Sequence, residues 1–139
     1  MTDFTFKRAD GSQQTVEGYL YEEPQAGTKK YNETRYKESD LPRKVDLRKH
    51  LTAIENQGQT SSCTANAVAG AYEYLAKKST GKDYDVSRMF IYYNARLIGA
   101  KGDASKITAG GSGIGKSIES LQKYGACSEK VYPFVKDAV

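Results

Sequence analysis

A chain of 139 residues with 38% apolar and 27% charged side chains has the composition of one globular domain, or of one lobe of a larger one. The formal charge of +4 is modest, and the densest basic stretch, Lys29 to His50, is diluted by Glu33, Glu38, Asp40 and Asp46, which argues against a nucleic-acid groove. The N-terminus MTDFTFKRADGSQQ lacks the apolar core of a secretory signal and no run of about eighteen apolar residues follows, so no export address or membrane span is visible and the location stays open.

Residues 1–43 are polar, carry Gly11, Gly18, Gly27, Pro24 and Pro42, and read as an extension laid on a domain that occupies residues 44–139. The best structured piece of the extension is a short strand around Thr15 to Tyr21. From Glu55 to Ser62 the chain is too polar for a core and reads as a loop that feeds a helix. That helix is predicted from Ser62 or Cys63 to about Lys78, with Ala67, Val68, Ala71, Tyr72, Leu75 and Ala76 at helical spacing and Gly81 beyond its end. A second helix, capped by Ser87, carries Met89, Phe90, Tyr93 and Leu97. A third runs from about Gly113 to Tyr124, where Ile114, Ile118, Leu121 and Tyr124 form one apolar face and Gly125 ends it.

Only two cysteines occur, Cys63 and Cys127, which excludes a disulfide-stapled scaffold but leaves a single bridge open. Cys63 falls in the first turn of its predicted helix, where unpaired backbone N–H groups and the helix dipole favour thiolate over thiol. Six residues upstream, Gln57 can present an amide N–H that, with the Cys63 backbone N–H, makes a two-donor hole for an oxyanion. Cys127 has no basic neighbour except Lys130 and reads as structural or idle.

The run Asn56-Gln57-Gly58-Gln59-Thr60-Ser61-Ser62-Cys63-Thr64-Ala65-Asn66-Ala67 resembles the active-site segment of papain-like cysteine peptidases, in their bacterial-type branch. The likeness extends over residues 42 to 134, through Val45-Asp46-Leu47-Arg48, Ser87 to Arg96 and Tyr124-Gly125-Ala126-Cys127. It implies an α+β papain-like fold of which this chain is mainly the helical left lobe. It further implies Cys63 as nucleophile, Gln57 as oxyanion-hole amide, and Gly110 and Gly111, with Ser61 and Ser62, as contacts to an extended substrate. Thr60 stands where the family's local pattern has its first cysteine and Thr64 where it has an aromatic residue, so the usual neighbouring disulfide is impossible.

An activated thiol needs a base, and the only histidine, His50, sits between Lys49 and Leu51 ahead of the loop. The family's histidine and asparagine come roughly 130 to 150 residues after the cysteine, so the resemblance implies a β-rich second lobe outside this chain. Peptide or protein substrates and that second lobe are the expected partners, nucleic acid and membrane are not, and no metal or cofactor is required. The extension, with Tyr19, Tyr21, Tyr31 and Tyr36 packed on the domain, would restrain the cleft as in a zymogen.

Two other readings stay open. One is a non-catalytic papain-like module that binds a peptide or inhibits a partner. The other is nucleotide binding, because Gly110 to Ser117 satisfies the phosphate-loop pattern and opens a helix. Such a loop must follow a buried strand, however, and Lys101 to Thr108 offers only Ile107 as a large apolar residue.

Overall fold

In a computed structural model, which describes residues 4–7, 10–16, 23, 26–27, 30, 32–108 and 110–135, three α-helices carry the core. Ahead of them stands a hairpin of β1 (Phe4–Lys7) and β2 (Gln13–Val16), paired antiparallel with Phe4 opposite Val16. Its connection closes on Asp10, whose carboxylate accepts from the Ser12 N–H and hydroxyl, while Gly11 takes the left-handed φ of +86° that a side chain would resist. The predicted strand is thus Gln13–Val16 and has a partner that the sequence reading missed; residues 17–22 lie outside the described part.

Helix α1 spans Cys63–Thr80 and stops where Gly81, at φ +72°, returns its N–H to the Lys77 carbonyl. Helix α2 spans Arg88–Gly99, and the Ser87 hydroxyl caps it by accepting from Phe90 N–H at 3.0 Å. Helix α3 spans Ile114–Tyr124 and is closed by Gly125.

The helices meet through faces other than those the apolar periodicity selects. On α1 the buried residues are Thr64, Ala65, Ala69 and Glu73, the last three one stripe at i, i+4, i+8, whereas Ala67, Ala71, Tyr72 and Leu75 are exposed. On α3 the buried residues are Ser117 and Ser120; Leu121 packs on the core, but Ile114, Ile118 and Tyr124 stand out of it. On α2 Met89 is buried as expected, with Ile91, Tyr92, Asn94 and Ala95, while Tyr93 is exposed. On α1 and α3 small side chains take most interior positions and hydrogen bonds among the buried hydroxyls of Thr64, Ser112 and Ser117 hold the contact, while α2 supplies the bulky Met89, Ile91 and Tyr92.

A buried carboxylate and a buried serine tie loops to this bundle. Glu73 accepts from Val86 N–H at 2.9 Å and from the Thr52 hydroxyl, joining α1 to the segments on both sides. At the start of α2, Ser87 N–H donates to the Cys127 carbonyl and the Ser87 hydroxyl to the Tyr132 carbonyl, so residues 127–132 run alongside it.

Candidate active site

The loop before α1 is built from local hydrogen bonds. Asn56 accepts from Gly58 N–H at 2.9 Å, and Gly58 takes a φ of +59°. Thr60 donates its N–H (3.2 Å) and its hydroxyl (2.8 Å) to the Gln57 carbonyl, and the Gln57 amide donates to the Thr60 carbonyl at 2.9 Å. The Thr60 and Ser62 hydroxyls share a hydrogen bond at 2.6 Å, and Asn66 donates to both the carbonyl and the hydroxyl of Ser62. Thr60, at the position where the family likeness would have a cysteine, therefore holds the turn through hydrogen bonds instead of a disulfide.

Cys63 is the first residue of α1, half-buried and not disulfide-bonded. Burial pushes its thiol above the ordinary value, against the pull of backbone hydrogen bonds from Thr64 and from Cys63 itself. Desolvation is the larger effect, and the two backbone hydrogen bonds offset part of it. Thr64, beside it, is buried, and its hydroxyl lies 2.6 Å from that of Ser112, which in turn lies 3.3 Å from that of Ser117. This hydroxyl chain moors the glycine loop at residues 110–113 to the first turn of α1.

Tyr92 completes the mooring: its hydroxyl donates to the Gly110 carbonyl at 2.8 Å, and the Arg96 guanidinium lies over its ring at 3.8 Å. Burial raises the Tyr92 phenol, Arg96 lowers it, and the charge of a Cys63 thiolate would raise it further. Tyr92, Thr64, Ser112 and Asn66 went unrecognised in the sequence reading. A run of hydroxyl residues was visible at 60–64, but nothing in a single sequence pairs Thr64 with Ser112.

The candidate residues therefore divide. Cys63, Gln57 and Ser61 lie on or beside one loop-to-helix junction, and Gly110 and Gly111 are held to it through Ser112. Ser62 is different: it is fully buried with its hydroxyl held by Thr60 and Asn66, so its side chain faces the interior and not a ligand. Gly111 is buried too.

His50 closes a short 3-10 turn at Arg48–His50 and meets the Tyr74 ring edge-on at 6.1 Å. Tyr74 follows Cys63 by eleven helical residues, about 16 Å at 1.5 Å per residue, so His50 is remote from the sulfur. Cys127 is free, and its carbonyl accepts from Ser87. Clefts of about 290 and 270 Å³ flank α1 and the glycine loop, and Cys63 lines neither.

At the phosphate-loop-like segment, the preceding residues form a 3-10 turn, Ala104–Lys106, in place of a strand. Lys116 pairs with Glu119 at 2.9 Å, and the buried Ser117 hydroxyl is held by Ser112 and the Gly113 carbonyl. The rigid strand and the two free side chains that phosphate and magnesium would need are not provided. Among the described residues no helix is long and apolar enough to cross a membrane. Tyr36, expected to pack on the domain, is 51% exposed with Arg35 beside its ring; Tyr19, Tyr21 and Tyr31 lie outside the described residues.

No family model matches the chain. Among curated proteins it is 38% identical over 91 residues to an uncharacterized peptidase C1-like protein of Acanthamoeba polyphaga mimivirus, covering 65% of this chain and 28% of that protein. It is 31% identical over 99 residues to cathepsin L2 of Homo sapiens (69% and 28%) and 45% identical over 56 residues to cathepsin K of Mus musculus (37% and 17%). The chain thus spans little more than a quarter of the length of the first two of these relatives and about a sixth of the third. The similarities support the papain-like cysteine peptidase family and a fold consistent with its helical lobe.

Proposed function

We propose that this chain is the helical, nucleophile-bearing part of a papain-like cysteine endopeptidase. The observation that carries the reading is the junction itself: a half-buried thiol as the first residue of a long helix, preceded by a hydrogen-bonded loop that carries Gln57 and moored to a glycine loop through Thr64 and Ser112. Residues 44–139 are the lobe and residues 1–43 an extension. The bacterial-type affiliation rests on the loop motif alone.

In the proposed reaction the Cys63 thiolate attacks the scissile carbonyl carbon, and the carbonyl electron pair moves onto oxygen, held by the Gln57 amide and the Cys63 N–H. Gln57 has two amide hydrogens and Thr60 takes one, which leaves a donor for the oxyanion. Collapse of the tetrahedral species breaks the C–N bond, and the amine leaves with the proton that a histidine took from the thiol. Water, deprotonated by the same histidine, then releases the acid from the thioester. His50 is too distant for that role, so the histidine is assigned to another part of the protein.

A thiol-reactive epoxide inhibitor of papain-type enzymes tests the reading in the full-length protein. Modification of Cys63 with loss of peptide hydrolysis is expected; an unlabelled Cys63 in a correctly folded protein points to the non-catalytic peptide-binding module instead. Restraint of the cleft by residues 1–43 is tested by trimming them, and equal hydrolysis before and after would dispose of it.

A further inference from the structure

Arg88, the first residue of α2, is a buried guanidinium at the meeting point of three segments. Its Nη2 lies 3.0 Å from Glu55 and 3.4 Å from Glu129, and its Cζ lies over the Phe134 ring, 4.2 Å from the centroid. Its Nη1 donates to the Asn66 Oδ1 at 3.2 Å. That contact fixes which way the Asn66 amide points: with the oxygen turned to Arg88, the nitrogen must face Ser62, where it donates to the carbonyl at 3.0 Å and the hydroxyl at 2.9 Å. Ser62 then meets Thr60, and Thr60 holds Gln57. A continuous set of hydrogen bonds therefore runs from Arg88 to the side chain proposed as oxyanion donor, while Glu55 anchors the head of the same loop.

We infer that Arg88 is a positioning residue for the Gln57–Ser62 loop, acting through Asn66 and Glu55; the catalytic part of this inference rests on the peptidase reading above. A planar fork can bond Asn66 with one arm and carboxylates with the other at once, which a lysine ammonium on a single stem cannot reproduce. Substrate is not touched. The role is to keep the loop in one conformation, so that the donor meets the forming oxyanion without reorganisation.

The test uses N66A, which cuts the link and leaves the ion pairs intact, and R88K, which keeps the charge. In the full-length protein each is expected to lower kcat about tenfold to a hundredfold with KM within about twofold, less than the roughly 10² to 10³ lost when an oxyanion donor is deleted outright. The double variant is expected to be no worse than the worse single, as for members of one linked set. Alkylation of Cys63 by iodoacetamide needs no oxyanion donor and is expected to keep its wild-type rate, which general loosening of the fold would change.

Hydrogen exchange supplies a readout independent of catalysis: in N66A the amides of residues 57–62 are expected to exchange about tenfold faster while those of α3 do not, as loss of a local hydrogen bond predicts. Unchanged exchange in that loop, acceleration throughout the helices, or an unchanged kcat despite a loosened loop each overturns the inference. A loosened loop in a protein whose wild type hydrolyses no peptide keeps the link and removes the peptidase reading instead.

Discussion

The Cys63 thiol is held above its ordinary value because half-burial costs a thiolate more than the two backbone hydrogen bonds return. A raised value keeps the group neutral at pH 7, and the reactive thiolate accumulates only as pH climbs past it. In this chain by itself, the iodoacetamide rate at Cys63 is therefore expected to rise with a midpoint above that of a free thiol, about 8.5. A stopped-flow pH profile with a midpoint below neutrality would show that the helix end prevails over burial. With a histidine beside the sulfur, as proposed for the whole protein, the imidazolium would favour the thiolate and move the midpoint downward. At this scale the local motif was informative about position: Cys63 heads α1 and Gln57 lies in the loop before it. The burial of the Ser62 side chain, held by Asn66 one turn later, was not legible in it.

Each helix was legible as an element: Ser87 as a cap, Gly81 and Gly125 as stops, and the loop from Glu55 to Ser62 lie where the local chemistry puts them. The buried faces were not legible. Leu75, 62% exposed, belongs to the apolar stripe of α1 yet lies outside, whereas Ala69 and Ile91 are inside. Leu75→Lys is accordingly expected to change the unfolding free energy by less than about 0.5 kcal/mol, and Ile91→Ala to cost about 2 to 4 kcal/mol, by urea denaturation. Equal effects at the two sites would show that the faces are assigned wrongly. Tyr92→Phe removes the hydroxyl that holds the Gly110 carbonyl at 2.8 Å; a loss of about 1 kcal/mol is expected, with faster hydrogen exchange confined to residues 110–113.

Among the described residues, the helices are joined by an apolar cluster that includes Ala65, Ala69, Met89, Ile91 and Tyr92, and by buried hydrogen bonds beside it. Glu73, Arg88 and the hydroxyls of Thr64, Ser112 and Ser117 span contacts that no local spacing encodes. Glu129 shows how far the coupling reaches, because it pairs with Arg88 and accepts from the backbone N–H of Arg88 and Phe134. Glu129→Ala leaves that buried guanidinium short of a partner. It is expected to lower stability by about 2 kcal/mol in thermal denaturation, where Glu129→Gln recovers part of the loss. By itself the sequence determined where the helices start and stop and which cysteine heads one, because caps, glycines and loop polarity act within a few residues. Which faces meet, that Ser62 and Gly111 are interior, and that Arg88 reaches the Gln57 loop were decided by tertiary structure alone. Close approach of small residues and pairing of buried polar groups depend on partners 13 to 53 residues apart, and one chain's periodicity holds no record of them.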